Sequence, residues 1–97
     1  MPHYLYLIHP FRHEFFEQPT EAEEAAMAAH FAYLQQAAKA GTVLLAGPCL
    51  DETFGLVVFH AADDDSARAF MYQDPSVQAN VMMAELHPFR LSVQGNH

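Results

Sequence analysis

The residues His3-Tyr4-Leu5-Tyr6-Leu7-Ile8 are aromatic or aliphatic at nearly every position. Side chains alternate across a strand, so Tyr4, Tyr6 and Ile8 share one face while Leu5 and Leu7 share the other. A strand that is apolar on both faces needs cover on both. It belongs inside a sheet with a layer on each side, and this requirement narrows what the remaining chain can build.

The next segment is helical. Thr20-Glu21-Ala22-Glu23 forms a capping box, in which Thr20 accepts from the backbone at Glu23 and Glu23 reaches back, with acidic residues suiting the helix dipole. The helix runs to about Ala40, where Gly41 stops it. Met27, Phe31, Leu34 and Ala38 make one apolar stripe at helical spacing, and Gln35, Gln36 and Lys39 point the other way. Thr42 to Ala46 reads as a short strand broken by Gly47-Pro48, and Phe54 to His60 as its hairpin partner beyond a turn at Asp51-Glu52. Asp63-Asp64-Asp65-Ser66 caps a second helix, from about Ser66 to Tyr72. Its acidic triplet lacks calcium-loop spacing and reads as a solvated helix start. Asp74-Pro75 ends that helix and opens a short third turn with Pro75 at its first position. A last strand covers about Leu86 to Val93, and Gly95-Asn96-His97 forms a frayed tail.

The order β-α-β-β-α-β is the ferredoxin-like α+β plan, with two helices on one face of a four-stranded antiparallel sheet. At 97 residues and 52% hydrophobic the chain suits a single domain spanning 1–97. The face away from the helices stays apolar through the first and third strands, which predicts a homodimer joined through the sheet faces. Tyr4, Tyr6, Phe54 and Phe59 then belong to sheet and dimer core.

Charge restricts the partners. Four Lys and Arg against twelve Asp and Glu leave a net charge of −8, a field that repels nucleic acid and anionic membranes. The first residues carry no basic region or long apolar run, so a cytoplasmic location is expected. Cys49 is the only cysteine. It reads as a small packed residue rather than a nucleophile, because no neighbouring motif activates it.

His30 lies at the edge of the apolar stripe, three residues after Met27, and an imidazole there needs a hydrogen-bond partner. Asp74 is the best available carboxylate, held at an element boundary among apolar and amide neighbours. The pair reads as an acid/base dyad or, on spacing alone, as a satisfied structural histidine and a helix N-cap. Arg12 and Arg90 stand as candidates to hold a substrate anion, or as solvated or ion-paired side chains. His3, His9 and His13 lack a paired-ligand motif such as His-Glu-x-x-His, so no metal is expected.

Four stretches, His30-Phe31-Ala32-Tyr33-Leu34, Gly41-Thr42-Val43-Leu44-Leu45-Ala46-Gly47-Pro48, Gln73-Asp74-Pro75-Ser76-Val77 and His87-Pro88-Phe89-Arg90, together resemble the YCII-related family. The resemblance implies a dimeric ferredoxin-like α/β barrel, with His30 and Asp74 as a catalytic dyad. It places Ala46, Gly47 and Pro48 along the same cleft, with Gly47 and Pro48 contacting substrate. It also implies a small enzyme without a cofactor, of lyase or isomerase type, acting on a small aromatic or lactone-like molecule; one branch of the family removes chloride from a chlorinated hydroxyhydroquinone. The alternative within the same fold is a domain that binds a small ligand, or another molecule, without catalysis.

The tetrapeptide His-Pro-Phe-Arg occurs at His9 and again at His87. The flanks differ, so this is no repeat. Pro10 marks the end of the first strand and the start of a loop through Phe11, Arg12, His13 and Phe15 near the first helix. Pro88 is expected on an edge strand, where a missing N–H is tolerated.

Overall fold

The computed structural model describes residues 1–95; the expected tail at Asn96 and His97 lies outside the described residues. Strand β1 (His3–Pro10) is followed by helix α1 (Glu21–Lys39), strands β2 (Val43–Pro48) and β3 (Gly55–His60), helices α2 (Asp64–Tyr72) and α3 (Pro75–Gln78), and strand β4 (Met82–Phe89). The sheet is antiparallel in the order β2-β3-β1-β4. The result is a small α+β fold of four strands and three helices; the sequence pattern predicts the four strands, two of the helices and, at Pro75, a short turn that forms α3.

The central position of β1 follows from its composition. Tyr4, Tyr6 and Ile8 are all buried, and they meet Val57 and Phe59 of β3 on the face that the helices cover. Phe59 packs edge-on against Tyr6, with ring centroids 5.7 Å apart, and Phe70 of α2 lies 4.7 Å from Phe59. Burying a side chain of this size contributes about 1.5–3 kcal/mol relative to leaving it in water.

Local signals set the helix ends. Thr20 and Glu23 form the expected reciprocal capping box. Gly41, at φ 85°, takes the left-handed conformation that turns the chain from α1 into β2. Asp63 caps α2, which begins two residues earlier than the predicted Ser66.

Three strands extend or shift relative to the sequence reading. Strand β2 runs on through Gly47 and Pro48, pairing Pro48 with Gly55 after a bulge between Val43 and Leu45. It lies at the sheet edge, so proline's missing donor leaves no central ladder bond broken. Strand β1 continues to Pro10, but beyond Ile8 it pairs with β4 alone, and the proline sits at the strand's last residue. Strand β4 spans Met82–Phe89 rather than Leu86 to Val93. Met82, Ala84 and Leu86 turn toward the helices, and Met83, Glu85 and His87 turn away. Pro88 does lie on an edge strand.

The uncovered face is apolar along its centre. Leu5 lies opposite Val58, and Leu7 opposite Leu56. Polar side chains flank this strip: the His3 ring packs against His60 at 4.5 Å, and His87 Nε2 lies 2.7 Å from a Glu85 carboxylate oxygen.

Candidate functional site

Asp74 is held by local geometry first. Its extended backbone, favoured for a residue preceding proline, makes it the N-cap of α3. One oxygen, Oδ1, accepts from the Ser76 backbone N–H at 2.9 Å and from the Ser76 hydroxyl at 2.8 Å. The other, Oδ2, accepts from the Tyr6 hydroxyl at 2.7 Å. The side chain is completely buried.

His30 arrives from the middle of α1, which packs on α3. Its Nδ1 lies 2.9 Å and 2.8 Å from the two Asp74 oxygens. An ionised carboxylate only accepts, so Nδ1 carries the proton and donates it. Burial pushes the Asp74 carboxyl up, but hydrogen bonds from His30, Tyr6 and Ser76 outweigh it and hold the group below its ordinary value. The Tyr6 phenol moves upward, through burial and then through the neighbouring Asp74 charge, and so remains a donor. Tyr33, whose hydroxyl donates to the Phe70 carbonyl, is pushed up to about 12 by burial and by the same charge.

With Nδ1–H committed to Asp74, the neutral His30 ring carries its lone pair on Nε2. That nitrogen makes no protein hydrogen bond among the described residues, and the ring lines a cavity of about 550 Å³ between α1 and the β2–β3 hairpin. The walls are apolar, built from side chains such as Ile8, Phe31, Leu34, Leu45 and Val57. A Cβ on Gly55 would stand 3.0 Å from Ile8 Cγ1, so the bare glycine lets Ile8 close the inner wall.

The cavity explains why the predicted stripe on α1 only partly joins the core. Leu34 is buried and Met27 half-buried, whereas Phe31 and Ala38 are exposed. All four line the cavity, together with Gln35, which the sequence placed on the opposite side. Apolar residues at helical spacing serve a cleft as readily as a core.

The structure brings His30 and Asp74 together and sets Gly47 and Pro48 along the same cavity. It does not bring in the arginines. Arg12 is engaged elsewhere: Nε and Nη2 each donate to Glu23 at 2.9 Å, Nη1 approaches Glu14 at 3.4 Å, and Nη2 also donates to the Gln18 carbonyl. This clamp ties the loop after β1 to the start of α1, and the loop supplies Phe15 and Phe16 to the cavity wall. Arg90 follows the end of β4 and borders a separate depression beside Pro2 and His3. Neither arginine lines this cavity. Cys49, half-exposed, lines the cavity. Among the described residues no three His, Cys, Asp or Glu side chains gather as a metal site.

Two supporting residues escaped the sequence reading. Ser76 had a local signal, because a serine two positions after an N-cap aspartate is placed to bond it. Tyr6 had none, since its approach to Asp74 depends on how the sheet meets α3.

The clamp gives an acid-stability prediction. Hydrogen bonding from Arg12 and from the Thr20 backbone lowers the Glu23 carboxyl from 4.5 to about 2. A folded value below the unfolded one stabilises at pH above the ordinary carboxylate value, and this contribution is lost as pH falls from 4.5 towards 2. Thermal melts across that window should show a steeper loss for the native sequence than for Glu23→Gln; parallel curves would show that the clamp carries no pH-dependent stability.

A family model described as "YCII-related domain" matches residues 4–90. No curated protein matches the chain. Among solved structures, 5-chloro-2-hydroxyhydroquinone dehydrochlorinase (TftG) from Burkholderia phenoliruptrix AC1100, in complex with 2,5-dihydroxybenzoquinone, is similar in fold with a TM-score of 0.67. The two are 18% identical over 90% of this chain and 93% of that one. No helix among the described residues is long and apolar enough to cross a membrane.

Proposed function

This chain belongs to the YCII-related domain family, and from that premise we propose that it is a small acid/base enzyme of lyase or isomerase type acting on a small aromatic or lactone-like molecule. The observation that carries the reading is the 2.8 Å contact between His30 Nδ1 and buried Asp74, at a histidine that also lines an apolar cavity. Nε2 is the base. It takes a proton from a hydroxyl or an activated C–H, and Asp74 stabilises the imidazolium that forms. In an elimination the electron pair released moves into the substrate and a leaving group departs as its anion, after which the imidazolium gives its proton to solvent. In an isomerisation the imidazolium returns the proton to a different carbon. Neither route requires a cofactor.

Support from the neighbour is of the same kind, since TftG is a dehydrochlorinase that was solved with a small quinone bound, in a similar fold. Turnover of small phenols, chlorinated quinols and lactones by the native protein, compared with His30→Ala, tests the proposal. Turnover that survives the substitution removes His30 from the mechanism. A second reading rests on Asp74's other role as the cap of α3: the same groups would then serve a non-catalytic binding domain, and His30→Ala would lower stability while ligand affinity persisted.

We also propose that two copies join through their uncovered sheet faces. The strip of half-buried Leu5, Leu7 and Leu56 beside buried Val58 motivates this, as does His60 Nδ1, a buried atom on the same face with no hydrogen-bond partner among the described residues. Light scattering should return twice 10.9 kDa for the native chain and one copy for Leu5→Glu. A native monomer at micromolar concentration would overturn the dimer.

A further inference from the structure

The cavity wall is as informative for what it lacks as for what it holds. Its polar side chains are His30, Gln35, Cys49 and Glu52, and among the described residues no lysine or arginine lines it. Arg12, near the same loop, spends its guanidinium on Glu23, Glu14 and the Gln18 carbonyl. The sole formal charge on the wall is thus the Glu52 carboxylate, in a chain of net charge −8. The turn between β2 and β3 fixes the backbone that carries Glu52. Its backbone N–H donates to the Cys49 carbonyl at 3.2 Å, Asp51 Oδ1 accepts from the Thr53 N–H and hydroxyl, and Glu52 itself adopts φ 66°.

A carboxylated or phosphorylated substrate would have to leave water for an apolar space with no cation to receive it, beside a negative side chain. A neutral hydroxylated ring meets none of these costs. Its apolar faces match the walls, one O–H can donate to His30 Nε2, and a second hydroxyl has Glu52 or Gln35 as an acceptor. We propose that the cavity admits uncharged, hydroxylated ring compounds and turns away their carboxylated counterparts, with Glu52 as the residue that sets the charge preference. This rests on the acid/base reading for the role of His30 but makes a separate claim about substrate charge. A like charge near the protein surface, at an effective dielectric of about 20, disfavours binding by roughly tenfold.

A matched pair of probes isolates the charge: hydroquinone, and 2,5-dihydroxybenzoate, which adds one carboxylate to the same ring. Their affinities are measured by proton NMR titration on the native protein, Glu52→Gln and Glu52→Lys. Glu52 is exposed on a turn, and retention of the native amide spectrum certifies each variant's fold. The native protein should bind hydroquinone at least about tenfold more tightly than the carboxylate, Glu52→Gln should narrow the gap, and Glu52→Lys should close or reverse it. Equal or tighter binding of the carboxylate by the native protein, a gap that Glu52→Lys leaves unchanged, or binding of neither probe would overturn the proposal. A preference for carboxylated rings accompanied by His30-dependent turnover would sink this inference alone, whereas a retained hydroquinone preference with turnover indifferent to His30→Ala would sink the acid/base reading alone.

Discussion

Asp74→Ala destabilises the protein by about 3–5 kcal/mol, the cost typical of removing one partner from a buried charged network. The substitution strips the acceptor from Tyr6, His30 and Ser76 together and uncaps α3. For a domain of this length the melting temperature should fall by roughly 15–30 °C. Asp74→Asn separates fold from chemistry. Its amide oxygen can still accept from Tyr6 or Ser76, but its NH2 faces His30 Nδ1 and favours the tautomer whose proton sits on Nε2. The expected result is a folded protein with turnover lowered roughly 10²–10⁴-fold, the range in which positioned proton transfer contributes. A melt of Asp74→Ala within about 1 kcal/mol of the native protein would show that the network stabilises little.

His30→Ala lowers kcat roughly 10²–10⁴-fold with a much smaller change in KM. The asymmetry follows from the architecture, because the apolar walls that hold a ring remain when the imidazole is gone. Asp74 keeps its bonds from Tyr6 and Ser76, so the variant should still fold. The space left behind opens onto the cavity beside a waiting carboxylate, and added imidazole should therefore restore part of the lost turnover. A loss confined to KM, with kcat intact, would recast His30 as a binding residue.

Much of this arrangement was legible in sequence because its causes are local. The Thr20–Glu23 box, the stop at Gly41 and the Asp-Pro boundary at Asp74 each depend on a few adjacent residues and lie where the pattern puts them, and the acidic cap of α2 differs by two residues. The misplaced features have distant causes. The Arg12 clamp joins residues eleven apart, and Tyr6 meets Asp74 across sixty-eight positions. Phe31 shares the apolar stripe yet lies exposed on the cavity, because periodicity reports which residues share a face, not whether that face meets another layer or an open cleft. Met82 to His87 alternates inward and outward, yet its sequence does not mark the start of β4, because methionine packs in strands, helices and loops alike.

The double duty of Asp74 has an evolutionary consequence. The carboxylate that orients His30 also terminates one backbone segment and begins another, so purifying selection on folding alone would keep it even in a lineage whose substrate had disappeared. A dormant cleft of this design would lose its carboxylate last and its walls first. Such a chain would keep the His30–Asp74 contact while its cavity walls changed.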